Sequence, residues 1–281
     1  MRIHAYGDAS VLRLDDVPAP VPAGGEVLVQ VAGTSFNPSE VGLRNGWLRG
    51  VVELELPYTL GWDLAGTVAG TGARVVGRVD GGAAAEFAAA DPALLVPAPA
   101  AVPLEHAAAL PVAGVTAWQA VFEHGRVAAG QTVLVNGGGG GIGGFAVQLA
   151  KHAGAHVTAT ASPRSAEAVR AHGADAVHDY TLGPPSGRFD VVLHLVPGGG
   201  DAMLALVRPG GVLVSVTDRL PPPAVHFVVR NDPADLAALV RLVDAGAVRL
   251  DIAAVRPLAE LPEVHREAEA GRLRGKTVLR V

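Results

Sequence analysis

The chain has 281 residues and nearly half of them are apolar, which leaves room for a large core and excludes a disordered protein. Its formal net charge is −5, with no basic tract interleaved with aromatics, so a nucleic-acid partner is not expected. There is no cysteine, which excludes disulfides, thiol nucleophiles and cysteine-ligated metal.

The opening residues, MRIHAYGDAS, lack the apolar core of a signal peptide. The apolar stretch 93–117 is broken by Pro97, Pro99, Pro103, Glu105 and Pro111, so no membrane span is expected and a cytoplasmic protein is the default. Residues 1–100 read as β-rich. The segment 26–32 (EVLVQVA) alternates as a strand, and 64–69 and 73–79 read as two more, joined by a turn at Gly70-Thr71-Gly72. Pro18, Pro20, Pro22 and Gly24-Gly25 make an irregular entry, and the proline-rich stretch 92–104 is a connector. Helices are expected at 104–109 and 115–122.

From 131 the rhythm changes to strand–helix–strand. A strand at 131–135 meets a run of five glycines, then Ile142, Phe145 and Leu149 recur at helical spacing. A strand at 156–161, a helix at 164–172 ended by Gly173, and strands at 176–179 and 190–195 follow. A helix at 200–207, a strand at 212–216 and a last buried strand within 224–229 (AVHFVV) continue the series. Such alternation implies a parallel sheet with helices on both faces, an α/β protein. Asp232-Pro233 starts a helix with the apolar stripe Leu236, Leu239, Val240 and Val243, ended by Gly246. A helix at 260–270 and a strand at 277–281 complete the chain.

Gly138, Gly140 and Gly143 fit the pattern G-x-G-x-x-G. The first allows a tight turn, the second lets backbone approach a phosphate, and the third lets helix pack on strand. The flanking strand and helix convert a weak pattern into a dinucleotide site, because unpaired N–H groups at a helix N-terminus face the pyrophosphate. An NAD site usually carries an acid about 20 residues past the glycines. Here the segment reads Thr160, Ala161, Ser162, Pro163, Arg164, Ser165, with no carboxylate. Arg164 can pair with a 2′-phosphate and the serines can donate to it, which points to NADPH. A second reading fits the same residues: Ser162 caps the next helix, with Pro163 at its first position.

With these residues in place, the chain resembles the medium-chain dehydrogenase/reductase superfamily, nearest to its zinc-independent quinone oxidoreductase and enoyl reductase branch. The likeness runs nearly end to end, through EVLVQVAGTSFNPSE, PYTLGWDLAGTV, HAAALPVAGVTAWQAV, the glycine segment, HGADAVHDY, FDVVLHLVPG, RPGGVLVSV and RGKTVL. It implies a GroES-like β-rich catalytic domain (1–106, completed by 231–281), a doubly wound Rossmann NADPH-binding domain (107–230), and a ligand in the cleft between them. It also implies a homodimer joined through the Rossmann sheet edge.

Residue by residue, the resemblance places Asn37 and Thr116 near the nicotinamide, and Gly140, Gly141, Ile142 and Gly143 at the pyrophosphate. It places Ser162, Arg164 and Tyr180 around the 2′-phosphate and Val196 on the nicotinamide-side loop. Plainer roles stay open beside these: a turn for Asn37, a helix cap for Thr116, strand-end packing for Tyr180. Where zinc relatives use Cys, His and Cys, this chain has Asn37, then Trp62 within GWD, and no cysteine for the third. No metal is therefore expected. The family's frequent aspartate in FDVVLD is His194 here, which reads as a packed or hydrogen-bonded residue, and Trp47 replaces a common tyrosine. Segments 70–85 and 217–225 are shorter than in typical relatives. Glu40, Arg44 and Asp63 lie in segments expected near the cleft, with structural roles favoured.

The expected activity is hydride transfer from NADPH to a quinone or an α,β-unsaturated carbonyl, with Asn37 the leading candidate for polarising substrate or nicotinamide. The alternative is a redox-inactive NADPH-binding sensor or partner protein of the same fold.

Overall fold

A computed structural model describes residues 1–50 and 52–281. The chain forms two compact units. The first comprises Met1–Val112, Asn231–Asp244 and Ile252–Val281; the second comprises Ala113–Arg230 and Ala245–Asp251.

Along the first unit run strands β1 (Arg2–Ile3), β2 (Leu12–Arg13), β3 (Val27–Ser35), β4 (Tyr58–Thr59), β5 (Asp63–Val68), β6 (Arg74–Arg78), β7 (Phe87–Ala90) and β8 (Leu95–Pro97). Helix α1 (Ser39–Asn45) follows β3, and α2 (Leu104–Ala107) closes this stretch; α3 (Pro111–Trp118) carries the chain into the second unit. The alternation in 26–32 does what period two requires. Val29 and Val31 are buried while Gln30 between them is exposed. They pack with Leu64, Val75 and Val79 into one apolar cluster.

The second unit contains β9 (Thr132–Asn136), α4 (Gly141–His152), β10 (His156–Ala161), α5 (Ala166–Ala171), β11 (Ala176–Asp179), β12 (Phe189–His194), α6 (Gly200–Leu204), β13 (Val207–Ser215) and β14 (Ala224–His226). Every pairing in its sheet is parallel, in the order β11-β10-β9-β12-β13-β14. The order reverses between β9 and β12, and ligands of such sheets bind at the carboxyl ends of the strands at that point.

The chain then returns to the first unit through α7 (Pro233–Asp244), β15 (Ile252–Pro257), α8 (Leu261–Glu269) and β16 (Lys276–Arg280). Asp232 caps α7 as expected, its carboxylate accepting the N–H groups of Ala234 at 2.9 Å and Asp235 at 3.2 Å. β16 lies antiparallel to β3 in the larger sheet, ordered β15-β16-β3-β5-β6-β8 with β7 also on β3.

Several sequence expectations shift. The strand expected within 224–229 stops at His226, because Phe227 turns to stack on His124 at 4.3 Å and Val228 is exposed. The helix expected at 115–122 starts at Pro111 and unwinds into a π-helical turn, Gln119–His124. The strand expected at 212–216 extends back to Val207. Helix α1 and strand β15 were not expected at all. The boundary read at 106/107 falls at 112/113, and 245–251 joins the second unit. There the Arg249 N–H donates to Gln148 of α4 at 2.7 Å, while the Gln148 amide donates to Arg249 O at 2.9 Å.

Candidate dinucleotide site

The glycine run turns the chain from β9 into α4 at the carboxyl end of the sheet. Gly137 holds the left-handed conformation with φ of 100°, so the tight turn is made one residue earlier than the sequence pattern suggests. Gly138 instead packs on β10, where a Cβ would meet Ala159 Cβ at 2.9 Å. Gly143 fits its expected role: a Cβ there would stand 2.0 Å from Gly137 O and 2.7 Å from Gly138 Cα. Gly140 caps α4 with extended backbone and no capping side chain. The N–H groups of Gly141, Ile142 and Gly143 therefore open the helix without a side-chain acceptor, as an anion-binding helix start requires.

The neighbouring strand ends carry the other expected residues. Ala161 of β10 pairs with Asp179 of β11, so Ser162 and Tyr180 leave adjacent strands at the same level. Tyr180 is 54% exposed, which argues against strand-end packing. Arg164 is exposed in the turn before α5. Ser162 contributes its carbonyl, which accepts the N–H groups of Ser165 and Ala166 at 3.0 Å; the helix begins later, at Ala166, with Ser165 rather than Ser162 in the N-cap position but no side-chain cap bond. Ser165 Oγ donates back to Ser162 O at 3.4 Å instead.

Val196 follows β12 and meets the turn directly, since a Cβ on Gly137 would lie 2.6 Å from Val196 Cγ1. Thr116 is buried inside α3 and not at its start, so it is not an N-cap. The described residues also frame a cavity of about 450 Å³, lined among others by Arg126, Gln131, Asp190 and Gly211, at the amino ends of β9, β12 and β13. That is the wrong end of a parallel sheet for this ligand.

In the first unit, Asn37 belongs to a buried polar cluster where three strand ends meet. Its Nδ2 donates to Asp63 Oδ2 at 2.8 Å, and its Oδ1 accepts from Lys276 Nζ at 2.8 Å. Lys276 also donates to Phe36 O at 3.0 Å and lies 3.5 Å from Asp63 Oδ2. Ser35 Oγ donates to the same Asp63 oxygen, and Val112 N–H donates to the other at 2.8 Å. Both ends of the Asn37 amide are thus held by its own neighbours, and the cluster is satisfied from within, as a buried polar network requires. Burial, reinforced by Asp63, pushes the Glu40 carboxyl up to about 8; burial pulls the Lys276 ammonium down, against the pull of Asp63 and Glu40. Arg44 is fully buried and pairs with Glu269 of α8, a structural role.

Two family models match the chain: an alcohol dehydrogenase GroES-like domain over residues 23–100 and a zinc-binding dehydrogenase domain over 172–279. The chain is 31% identical to a chloroplast envelope quinone oxidoreductase homolog of Arabidopsis thaliana, over 99% of this chain and 97% of that protein. It is 31% identical to the 2-methylene-furan-3-one reductase of Solanum lycopersicum, over 98% and 76%. A mycobacterial protein solved in complex with NADPH superposes with a TM-score of 0.89 at 26% identity, over 100% and 99%. The chain belongs to the medium-chain dehydrogenase/reductase superfamily, in its quinone oxidoreductase branch.

A zinc site is implied by one matching model's description, but this superfamily member does not supply the donors. Asn37 presents an amide already bonded on both sides, and Trp62 presents an indole N–H that donates only. Among the described residues, no group of three His, Asp or Glu side chains is placed to hold a metal, and the chain has no cysteine. The residues do not fit the ion. No helix among the described residues is long and apolar enough to cross a membrane.

Sequence reasoning missed Lys276 and Asp218. Lys276 follows Gly275 at the start of the terminal strand, and a lysine opening an apolar strand (KTVL) was the available signal. Asp218 becomes visible only once His194 is seen beside it.

Proposed function

We propose that this protein is an NADPH-dependent reductase of quinones or α,β-unsaturated carbonyls that works without a metal ion. The observation that carries it is the carboxylate-free end of β10, where Ser162 leaves the strand level with Tyr180 and Arg164 is exposed in the turn that follows, together with the start of α4, which has no capping side chain. Bound NADPH supplies a hydride to an electron-poor acceptor. The N–H groups of Gly141, Ile142 and Gly143 hold the pyrophosphate, and Arg164, Ser162 and Tyr180 hold the 2′-phosphate. Val196 and Thr116 border the nicotinamide half. Asn37, fixed by Asp63 and Lys276, presents a rigid polar wall in the catalytic unit, and Trp62 takes the place of a metal ligand. The tomato relative reduces an exocyclic enone by name, and the Arabidopsis relative is named for quinones, which supports the two acceptor classes.

The test is NADPH oxidation with a panel of quinones and enones, repeated after exhaustive chelation. Turnover with one of these classes, unchanged by chelator, is expected. NADPH that binds but never turns over would favour a redox-inactive sensor, and activity lost to chelator and restored by zinc would overturn the metal-free reading.

A further inference from the structure

His194 is fully buried at the carboxyl end of β12, directly opposite Asn136 at the end of β9. These are the two strands between which the sheet order reverses. Its imidazole is bonded on both nitrogens, Nδ1 at 2.9 Å from Asn136 Nδ2 and Nε2 at 3.2 Å from Asp218 Oδ2. The directions of these bonds follow from their neighbours. Gly137 N–H donates to Thr160 Oγ1 at 2.8 Å, so the hydroxyl proton is free to donate onward to Asn136 Oδ1 at 2.9 Å. At the other end the Asp218 carboxylate can only accept, so Nε2 carries the proton aimed at it, and Nδ1 accepts from the Asn136 nitrogen that faces it, with Asn136 Oδ1 taking the Thr160 hydroxyl. The other Asp218 oxygen accepts the Gly198 N–H at 3.2 Å.

The chain of donors is thus closed at both ends by backbone. It starts at Gly137 in the glycine turn and meets, at Asp218, a donor from the loop that follows β12. Asp218 is itself anchored, its N–H donating to Ser215 Oγ at 2.8 Å, and Thr217 Oγ1 holds Val196 O at 2.8 Å. Burial would raise the Asp218 carboxyl, but Gly198 and His194 outweigh it and keep it below its ordinary value. The turn side of the network lies at the ends of β9 and β10, where the adenosine half of a bound dinucleotide would be held, and the 195–199 loop lies across the reversal, where the other half would be held.

We infer that His194 is a positioning residue that couples the glycine turn to the 195–199 loop, through Asn136 on one side and Asp218 on the other. It sets the loop that receives the nicotinamide half while leaving the adenosine half to the turn and Arg164. This rests on the NADPH reading above. The coupling predicts that breaking the link to Asp218 weakens the whole dinucleotide without weakening a fragment that reaches only the adenosine side.

The experiment compares NADPH with 2′,5′-ADP by titration calorimetry on the full chain, together with amide exchange at Gly198. His194→Asn keeps an acceptor toward Asn136 and loses the donor toward Asp218, whereas His194→Gln keeps an N–H near the Nε2 position. His194→Asn should weaken NADPH about tenfold and speed Gly198 exchange, with 2′,5′-ADP affinity within twofold of wild type. His194→Gln should recover most of the NADPH affinity. Asp218→Asn, at a partly exposed position, should reproduce the His194→Asn pattern, and the double variant should be no worse than the poorer single. Unchanged NADPH affinity in His194→Asn and Asp218→Asn would overturn the inference. So would a parallel loss of NADPH and 2′,5′-ADP, which marks general damage. Wild-type protein that binds neither probe would overturn the cofactor reading on which the inference rests.

Discussion

Glu40 has 1% of its surface exposed, and its carboxyl keeps its proton up to about pH 8 in the folded chain. In the unfolded chain it ionises in the ordinary carboxylate range. Between those values the folded state binds the extra proton, so stability present at low pH is lost as pH rises through this window, by up to roughly 1.4 kcal/mol per pH unit. Glutamine copies the protonated shape and has no such proton to lose. Glu40→Gln should therefore flatten the fall in stability between pH 5 and 8, and unfold at higher urea than wild type at pH 9. Parallel pH slopes for the two proteins would refute the assignment. Arg164 tests charge at the surface instead. If it pairs with a 2′-phosphate, NADPH should bind ten- to a hundredfold more tightly than NADH, since a charge-assisted bond contributes about 1.5–3 kcal/mol. Arg164→Ala should erase most of that gap while leaving NADH affinity unchanged; equal affinities in the unmutated protein would sink the 2′-phosphate assignment.

The turn into α4 shows how context reverses a local rule. Replacing a glycine near an exposed helix start by alanine would ordinarily stabilise by up to about 1 kcal/mol. At Gly143 the added Cβ would stand 2.0 Å from Gly137 O, a backbone atom that cannot swing aside. Gly143→Ala should then destabilise by about 1–3 kcal/mol in urea unfolding and weaken NADPH binding. A stabilised variant with normal NADPH affinity would contradict the turn geometry. This element was legible in the sequence because its signals are local: an apolar strand, a glycine run and a helical stripe within thirty residues. The placement of the left-handed residue at Gly137 was not, since five consecutive glycines offer several registers. Helix α1 escaped detection because Glu40 and Arg44 occupy buried positions and break the apolar periodicity that marks a helix. The Asn37 cluster escaped for another reason. Lys276 lies 239 residues away along the chain, and no spacing rule links them. The pairing of His194 with Asp218 has the same character: the residue that departs from the family pattern and the carboxylate that receives its proton sit after different strands and meet only in three dimensions.

At the scale of the whole molecule, the sheet of the second unit ends at β14. Its hydrogen bonds to β13 include Leu213 N–H to Pro223 O and Phe227 N–H to Ser215 O. By strand alternation Val225 continues that inward series, and His226 turns its backbone groups toward the open edge. Val225 and Val228 expose 37% and 79% of their surface beside it. An open edge flanked by exposed valines invites a partner, and a second copy of the same strand across a two-fold axis satisfies both edges at once. The strand is only three residues long, which is also how proteins blunt an edge they mean to leave open, so the two outcomes compete on the same feature. We expect the dimer, because bluntness alone leaves the valines in water. His226→Pro removes an outward donor without touching the bonds to β13, and proline is tolerated on edge strands. It should shift the protein toward monomer in light scattering at tens of micromolar while leaving urea stability, extrapolated to equal protein concentration, within about 1 kcal/mol of a monomeric reference such as the Val228→Lys variant. Wild-type protein that scatters as a monomer at that concentration would show that the short strand closes the edge by itself.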